Sequence, residues 1–93
     1  MKAIWNGQVI AESNKTVELE GYFYFPPESI NFDYLSSSDT QTQCLWKGIA
    51  HYYNLSVNGQ TNFDAAWQYT NPKEKAQSVK SYLAFWKGVQ ITE

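Results

Sequence analysis

Alternating apolar and polar positions run through most of the chain and predict strands. In "KAIWNGQVIAE", residues 2–12, two short alternating runs flank Asn6-Gly7, a pair that accepts the positive φ angles of a tight hairpin turn. "TVELEGYFYF", residues 16–25, places Val17, Leu19, Gly21, Phe23 and Phe25 on one face. Thr16, Glu18, Glu20, Tyr22 and Tyr24 fall on the other. This pattern predicts one half-buried strand, with Gly21 marking a bend or bulge. Residues 48–70 contain two further alternating runs around Asn58-Gly59 and give the firmest hairpin signal. Ile49, His51, Tyr53, Leu55 and Val57 share one face of the first run. Phe63, Ala65, Trp67 and Tyr69 share one face of the second.

Two segments depart from this period. "PPESINFDYLSSSDTQTQ", residues 26–43, has two prolines, three consecutive serines and no sustained alternation. Pro27-Glu28-Ser29 suits one helical turn and the remainder reads as loop, either functional or an excursion across one end of the fold. Asn71, Pro72 and Glu74 form a helix-start signature, and Ala76, Val79 and Leu83 follow at helical spacing. A short α-helix near residues 72–81 is therefore expected, then a closing strand over 83–91. The expected fold is mainly β, with antiparallel sheets arranged as a small tent or open barrel, in one domain spanning residues 1–93.

Composition narrows the function. With 93 residues the chain builds one modest core, and its four Trp, seven Tyr and five Phe supply the bulk. The same aromatics suit an aromatic-lined pocket. The net charge is −2 and there is no arginine, which argues against nucleic acid as a partner and against a site that clamps several phosphates. One cysteine permits no internal disulfide, and no segment has the apolar length of a signal peptide or membrane span. The expectation is a cytoplasmic monomer or homodimer with no membrane partner.

The candidate chemistry gathers around "QCLWKGIAHYY", residues 43–53. Cys44 and His51 lie seven apart, so in one continuous strand they face opposite ways. A dyad would require the chain to turn at Trp46-Lys47-Gly48. His51 reads as a packed residue of an apolar face and Cys44 as a small buried hydrophobe. Lys47 is a reactive amine or anion contact if burial lowers its pKa; the alternative is a solvated strand-end lysine that, like Lys87 in the second Trp-Lys-Gly triplet, packs its stem on the neighbouring indole. Glu18 and Glu20 read as a solvated strand face. One Cys and one His fall short of the four N or S ligands of structural zinc, so no metal and no cofactor is expected.

Four motifs, "YFPPESI" at 24–30, "CLWKG.A.YY" at 44–53, "AAWQY..P" at 65–72 and "AFWKGV" at 84–89, stand in order along the chain. Together they resemble the domain of unknown function 427 family, whose members are small bacterial and fungal proteins. The resemblance implies a small β-tent domain and a label of nucleotidyltransferase type. Many members have Cys-Pro where this chain has Cys44-Leu45. On these motifs the candidate pocket comprises Tyr24, Pro26, Glu28, Asp39, Cys44, Trp46, Lys47, Trp67 and Tyr69, expected to hold a small molecule. Two alternatives stand beside it. One is an enzyme of nucleotidyltransferase type using Lys47 with Glu28 or Asp39. The other is a structural or interaction module with an exposed aromatic face.

Overall fold

The computed structural model describes residues 1–93. Nine strands form three antiparallel sheets, and the protein is mainly β. Strands β1 (Lys2–Trp5), β2 (Gln8–Glu12) and β9 (Gln90–Thr92) make one sheet in the order β2-β1-β9. Strands β3 (Val17–Leu19) and β4 (Tyr22–Tyr24) form a hairpin. Strands β5 (Leu35–Cys44), β6 (Gly48–Val57), β7 (Gln60–Gln68) and β8 (Leu83–Phe85) form the largest sheet, in sequence order. The β3-β4 hairpin is joined to that sheet where Phe25 and Leu83 exchange backbone hydrogen bonds of 2.7 and 2.9 Å. No helix is long and apolar enough to cross a membrane.

The segment 16–25 is two strands, not one. Leu19 pairs with Tyr22, so Glu20 and Gly21 are the two residues of a tight turn, with φ of 52° and 86°. Both positive angles fit the hairpin turn that matches strand twist. The turn reverses parity. Val17 opposes Tyr24 and Leu19 opposes Tyr22, so the tyrosines join the Val17–Leu19 face. Phe23 and Phe25 go to the opposite side. Neighbouring residues thereby serve different cores. Phe25 is buried with Ile10, Leu55 and Leu83, whereas Tyr24 is buried with Trp67, Tyr69 and Val79.

Strand β6 also changes sides. Ala50 belongs to the Tyr24–Trp67 core, Leu55 and Val57 to the Phe25 core. The register shifts between Tyr53 and Leu55. Ile49 is therefore exposed and His51 half-buried, although alternation puts them on the face of the buried Leu55. In β7 the matching irregularity is Asp64, a non-glycine residue at φ +57°. It turns Phe63 out to solvent, 67% exposed, while Ala65 is fully buried.

Three further expectations are corrected. Residues 35–43 are not loop but most of the ten-residue strand β5, which lies at the edge of its sheet and pairs only with β6. Most of its side chains are exposed, so no face needs apolar residues and no alternation appears. The predicted α-helix near 72–81 is a pair of 3-10 turns over Glu74–Val79, interrupted at Ala76 (φ −116°, ψ 15°). Asn71 does not cap it; the residue before the first turn is Lys73, which makes no side-chain cap. Packing determines this outcome: Ala76 and Val79 are fully buried against the Tyr24–Trp67 core, and too few turns exist to propagate an α-helix. The closing segment is likewise split. Strand β8 ends at Phe85 and β9 starts at Gln90 in another sheet, with Lys87 and Gly88 at φ of 55° and 88° between them.

Candidate functional site

On the outer side of the Tyr24–Trp67 core lies an open cleft of about 400 Å³. Its floor is Trp67, near the end of β7 and paired with Tyr52 on β6 and Ala84 on β8. Ala84 on one side and nearby Ala50 on the other are small, which leaves the large indole room to lie in the sheet face. The Trp67 indole Nε1–H donates to the Tyr24 hydroxyl oxygen at 3.1 Å, a buried bond that locks both rings. Tyr22 and Trp86 stand nearly perpendicular to Trp67, with ring centres 4.8 and 5.7 Å from it. Tyr52 is tilted against both indoles and closes the aromatic wall. Such edge-on packing favours each pair by about 0.5–1.5 kcal/mol beyond burial.

Trp86 is held from behind. Its indole N–H donates to the carbonyl of Asp64. Asp64 in turn receives hydrogen bonds from Ser38, on one carboxylate oxygen, and from Thr40 at 2.8 Å, on the other. These donors hold its carboxyl below the ordinary range. The bulge that ejects Phe63 thus supplies the carbonyl that orients a cleft wall, and the Asn54 side-chain oxygen secures it from β6 by accepting from Asp64 N–H at 2.9 Å.

The polar end of the cleft is Lys47. It lies in a three-residue turn between Cys44 and Gly48, which pair across the β5-β6 ladder. Residues 71–73 brace that turn: Lys73 N–H donates to the Lys47 carbonyl at 3.0 Å and Lys73 Nζ to the Leu45 carbonyl at 2.9 Å. Gly48, at φ +109°, lies against the same segment: a Cβ there would stand in contact with Asn71 O at 3.4 Å and Pro72 Cα at 3.6 Å. So supported, the Lys47 ammonium forms an ion pair with Glu20 and sits 5.9 Å from the Tyr69 ring centre.

Electrostatics assign these groups their protonation states. Burial draws the Lys47 pKa down, but its hydrogen bond with Glu20 and the attraction of ionised neighbours outweigh this and leave it raised. The phenols attract it only once they ionise, so near neutrality Glu20 is the partner that counts. Lys47 is a fixed cation there, not a free amine nucleophile. Burial raises Tyr24 despite the opposing Trp67 bond and Lys47 charge. Tyr69 is pushed up to about 12, again first by burial. Both phenols keep their protons well past neutrality. The unfolded Tyr69 ionises near its ordinary 10.0 and the folded one near 12. Its contribution to stability is therefore complete below pH 10 and lost as pH rises through about 12. Thermal melting between pH 8 and 12 is expected to show a falling melting temperature above pH 10, with a shallower fall in Tyr69→Phe. An equal fall in both proteins would contradict this assignment.

Of the residues singled out in the sequence, Tyr24, Lys47, Trp67 and Tyr69 line this cleft. The other five do not. Pro26 is buried, and Glu28 is exposed in a 3-10 turn, Pro27–Ser29. Asp39 lies beside a separate depression with Asn54 and Asp64. Cys44 is half-buried at the end of β5, and Trp46 is 58% exposed beside a small groove shared with Leu19 and Lys75. The chain does turn at 45–47, yet Cys44 opposes Gly48 while His51 opposes Gln41. Three residues of strand, roughly 10 Å, separate the two along the ladder. Glu20, Tyr22, Tyr52 and Trp86 complete the cleft and were not among the candidates. A signal existed for Tyr22 and Glu20, which share the Tyr24 face in the alternation of 16–25. Trp86 carries the same Trp-Lys-Gly triplet as Trp46, but the two triplets differ in backbone: Lys87 has positive φ and Lys47 does not.

The sequence model of one family, described as Domain of unknown function (DUF427), matches residues 1–92. The chain belongs to this family. Among curated proteins none matches it.

Proposed function

We propose that this small β domain binds a planar small molecule in the cleft between Trp67, Trp86, Tyr22 and Tyr52, with Lys47 at its polar end. One observation carries this reading. Large aromatic side chains stand open around a concavity instead of closing it: Tyr22 is 40% and Trp86 38% exposed. Small-molecule sites are concavities of roughly 300–1,000 Å³ with apolar walls and a few convergent polar groups, and this cleft has that composition. The rings are also pre-set, because Trp67 and Trp86 have spent their N–H groups on Tyr24 and Asp64. A pre-organised wall lowers the ordering cost of binding.

Binding is favoured over nucleotidyl transfer by the placement of the acids. Glu28 and Asp39, the partners such a reaction would draw on with Lys47, are not among the cleft residues. The lysine and both phenols have pKa values moved away from neutrality, which supports holding a ligand over moving protons.

The test is a thermal-shift and tryptophan-fluorescence screen with nucleosides, aromatic acids, aromatic amides and aromatic amines. A ligand present at a hundred times its Kd should stabilise by about 2.7 kcal/mol. The shift should vanish in Trp86→Ala and shrink in Lys47→Met, whose side chains are partly exposed and whose loss leaves the main core intact. If no planar compound moves the wild type, or the shift is undiminished in both variants, the cleft is not a binding site.

A further inference from the structure

The polar groups of the cleft narrow the ligand class. They are dominated by donors. Lys47 brings a fixed cation. The Tyr24 oxygen accepts from the Trp67 indole, so its own proton remains available to donate. Tyr69 adds a second phenol at the same end. Both indole N–H groups are engaged elsewhere. The cleft's only carboxylate is Glu20, and it is a poor fixture: it projects from a two-residue hairpin turn with its side chain 52% exposed. It nevertheless occupies the ammonium. The free protein thus places a carboxylate on Lys47, in a cleft that two phenols and the aromatic walls also line, and supplies it from an exposed turn.

We propose that the cleft takes a planar aromatic carboxylate, whose ring lies against Trp67 and Trp86 and whose carboxylate replaces that of Glu20 on Lys47. This rests on the binding reading above. In the free state Glu20 is an internal competitor: it neutralises Lys47 until the ligand arrives and then swings out to water from the tip of its turn. The exchange conserves the ion pair, so selectivity comes from the ring and from the two phenol donors. An aromatic amine would meet the Lys47 charge. A neutral amide could not restore the pairing that Glu20 gives up.

Calorimetry with 2-naphthoate, 2-naphthamide and 2-naphthylmethylamine tests this on wild type, Glu20→Gln and Lys47→Met. Naphthoate should bind wild type more tightly than the amide or the amine. Glu20→Gln should tighten naphthoate by roughly two- to fivefold, the scale of an exposed ion pair. Lys47→Met should abolish the preference for the acid over the amide. Because Glu20 is exposed and Lys47 partly so, both variants should fold. Unchanged or weaker naphthoate binding in Glu20→Gln overturns the competitor role. If the amide or the amine binds as well as the acid in wild type, the carboxylate assignment falls while the aromatic cleft stands. If none of the three binds, and no compound in the wider screen does, the cleft reading falls with it.

Discussion

Replacing Trp67 with alanine is expected to remove about 3–5 kcal/mol of stability, the usual cost of truncating a large buried aromatic. A chain of this length has only about 5–14 kcal/mol in total, so the variant should be marginal at room temperature. The cost has three sources. The indole is 7% exposed and packs with Tyr24, Tyr69, Ala84 and Val79 in the second core. Its N–H is the partner of the buried Tyr24 hydroxyl. It is also the one ring that touches Tyr22, Tyr24, Tyr52 and Trp86, so its loss leaves four aromatic contacts unmade. Phe63→Ala is the control. Phe63 is four residues away on the same strand and on the same face by alternation, yet it is mostly exposed, and its truncation should fall within about 0.5 kcal/mol of wild type. Urea denaturation followed by circular dichroism measures both. A loss below 1 kcal/mol for Trp67→Ala would mean that the cleft floor does not carry the second core.

That contrast also marks the limit of what the residues disclose. Alternation identifies β6 and β7 as strands and Asn58-Gly59 as their turn, because a half-buried strand has to alternate and a two-residue turn requires tolerated positive φ. It fails at Asp64 and Asn54, where one irregularity re-aims everything beyond it. Asp64 is an ordinary polar position until Ser38 and Thr40 from β5 and the Asn54 side chain from β6 converge on it. A local period carries no information about such partners. Strand β5 hides for the opposite reason: an edge strand with two solvated faces is held by its backbone ladder, which leaves no side-chain signature. The Glu20-Gly21 turn is concealed because glutamate is an unusual first residue for that geometry. Read as one strand, residues 16–25 put Tyr24 opposite the core and miss that the tyrosine face becomes a cleft wall. Four of the motif residues, Tyr24, Lys47, Trp67 and Tyr69, drawn from three of the four motifs, do line one cleft. Motif spacing could not separate them from Glu28 or Asp39, which are near them in the chain but not in space.

The placement of Lys47 depends on Gly48, and Gly48→Ala should cost about 1–3 kcal/mol and weaken binding at the cleft as well. At φ +109° the backbone lies well outside the regions an L side chain adopts readily, so strain alone accounts for that amount. The site is enclosed as well as strained. A Cβ would stand at ordinary contact distance from the backbone of Asn71 and Pro72, and that backbone is tied to the turn through the Lys73–Lys47 hydrogen bond. Easing the strain by rotating the Gly48 backbone therefore shifts the turn relative to residues 71–73, which disturbs the brace on the Lys47 carbonyl and on Leu45. The ammonium then loses its aim at Glu20 and Tyr69. Lys47 and Gly48 are therefore coupled: in Gly48→Ala, adding Lys47→Met should cost ligand affinity much less than it does in wild type. Gly88→Ala is the comparison, because a Cβ there meets nothing within 4 Å. Its cost is backbone strain only, and cleft binding should be preserved once the protein is folded. Denaturation curves and naphthoate calorimetry on the two alanine variants separate the effects. Equal ligand affinity in Gly48→Ala and Gly88→Ala would show that the close approach of residues 71–73 does not position the lysine.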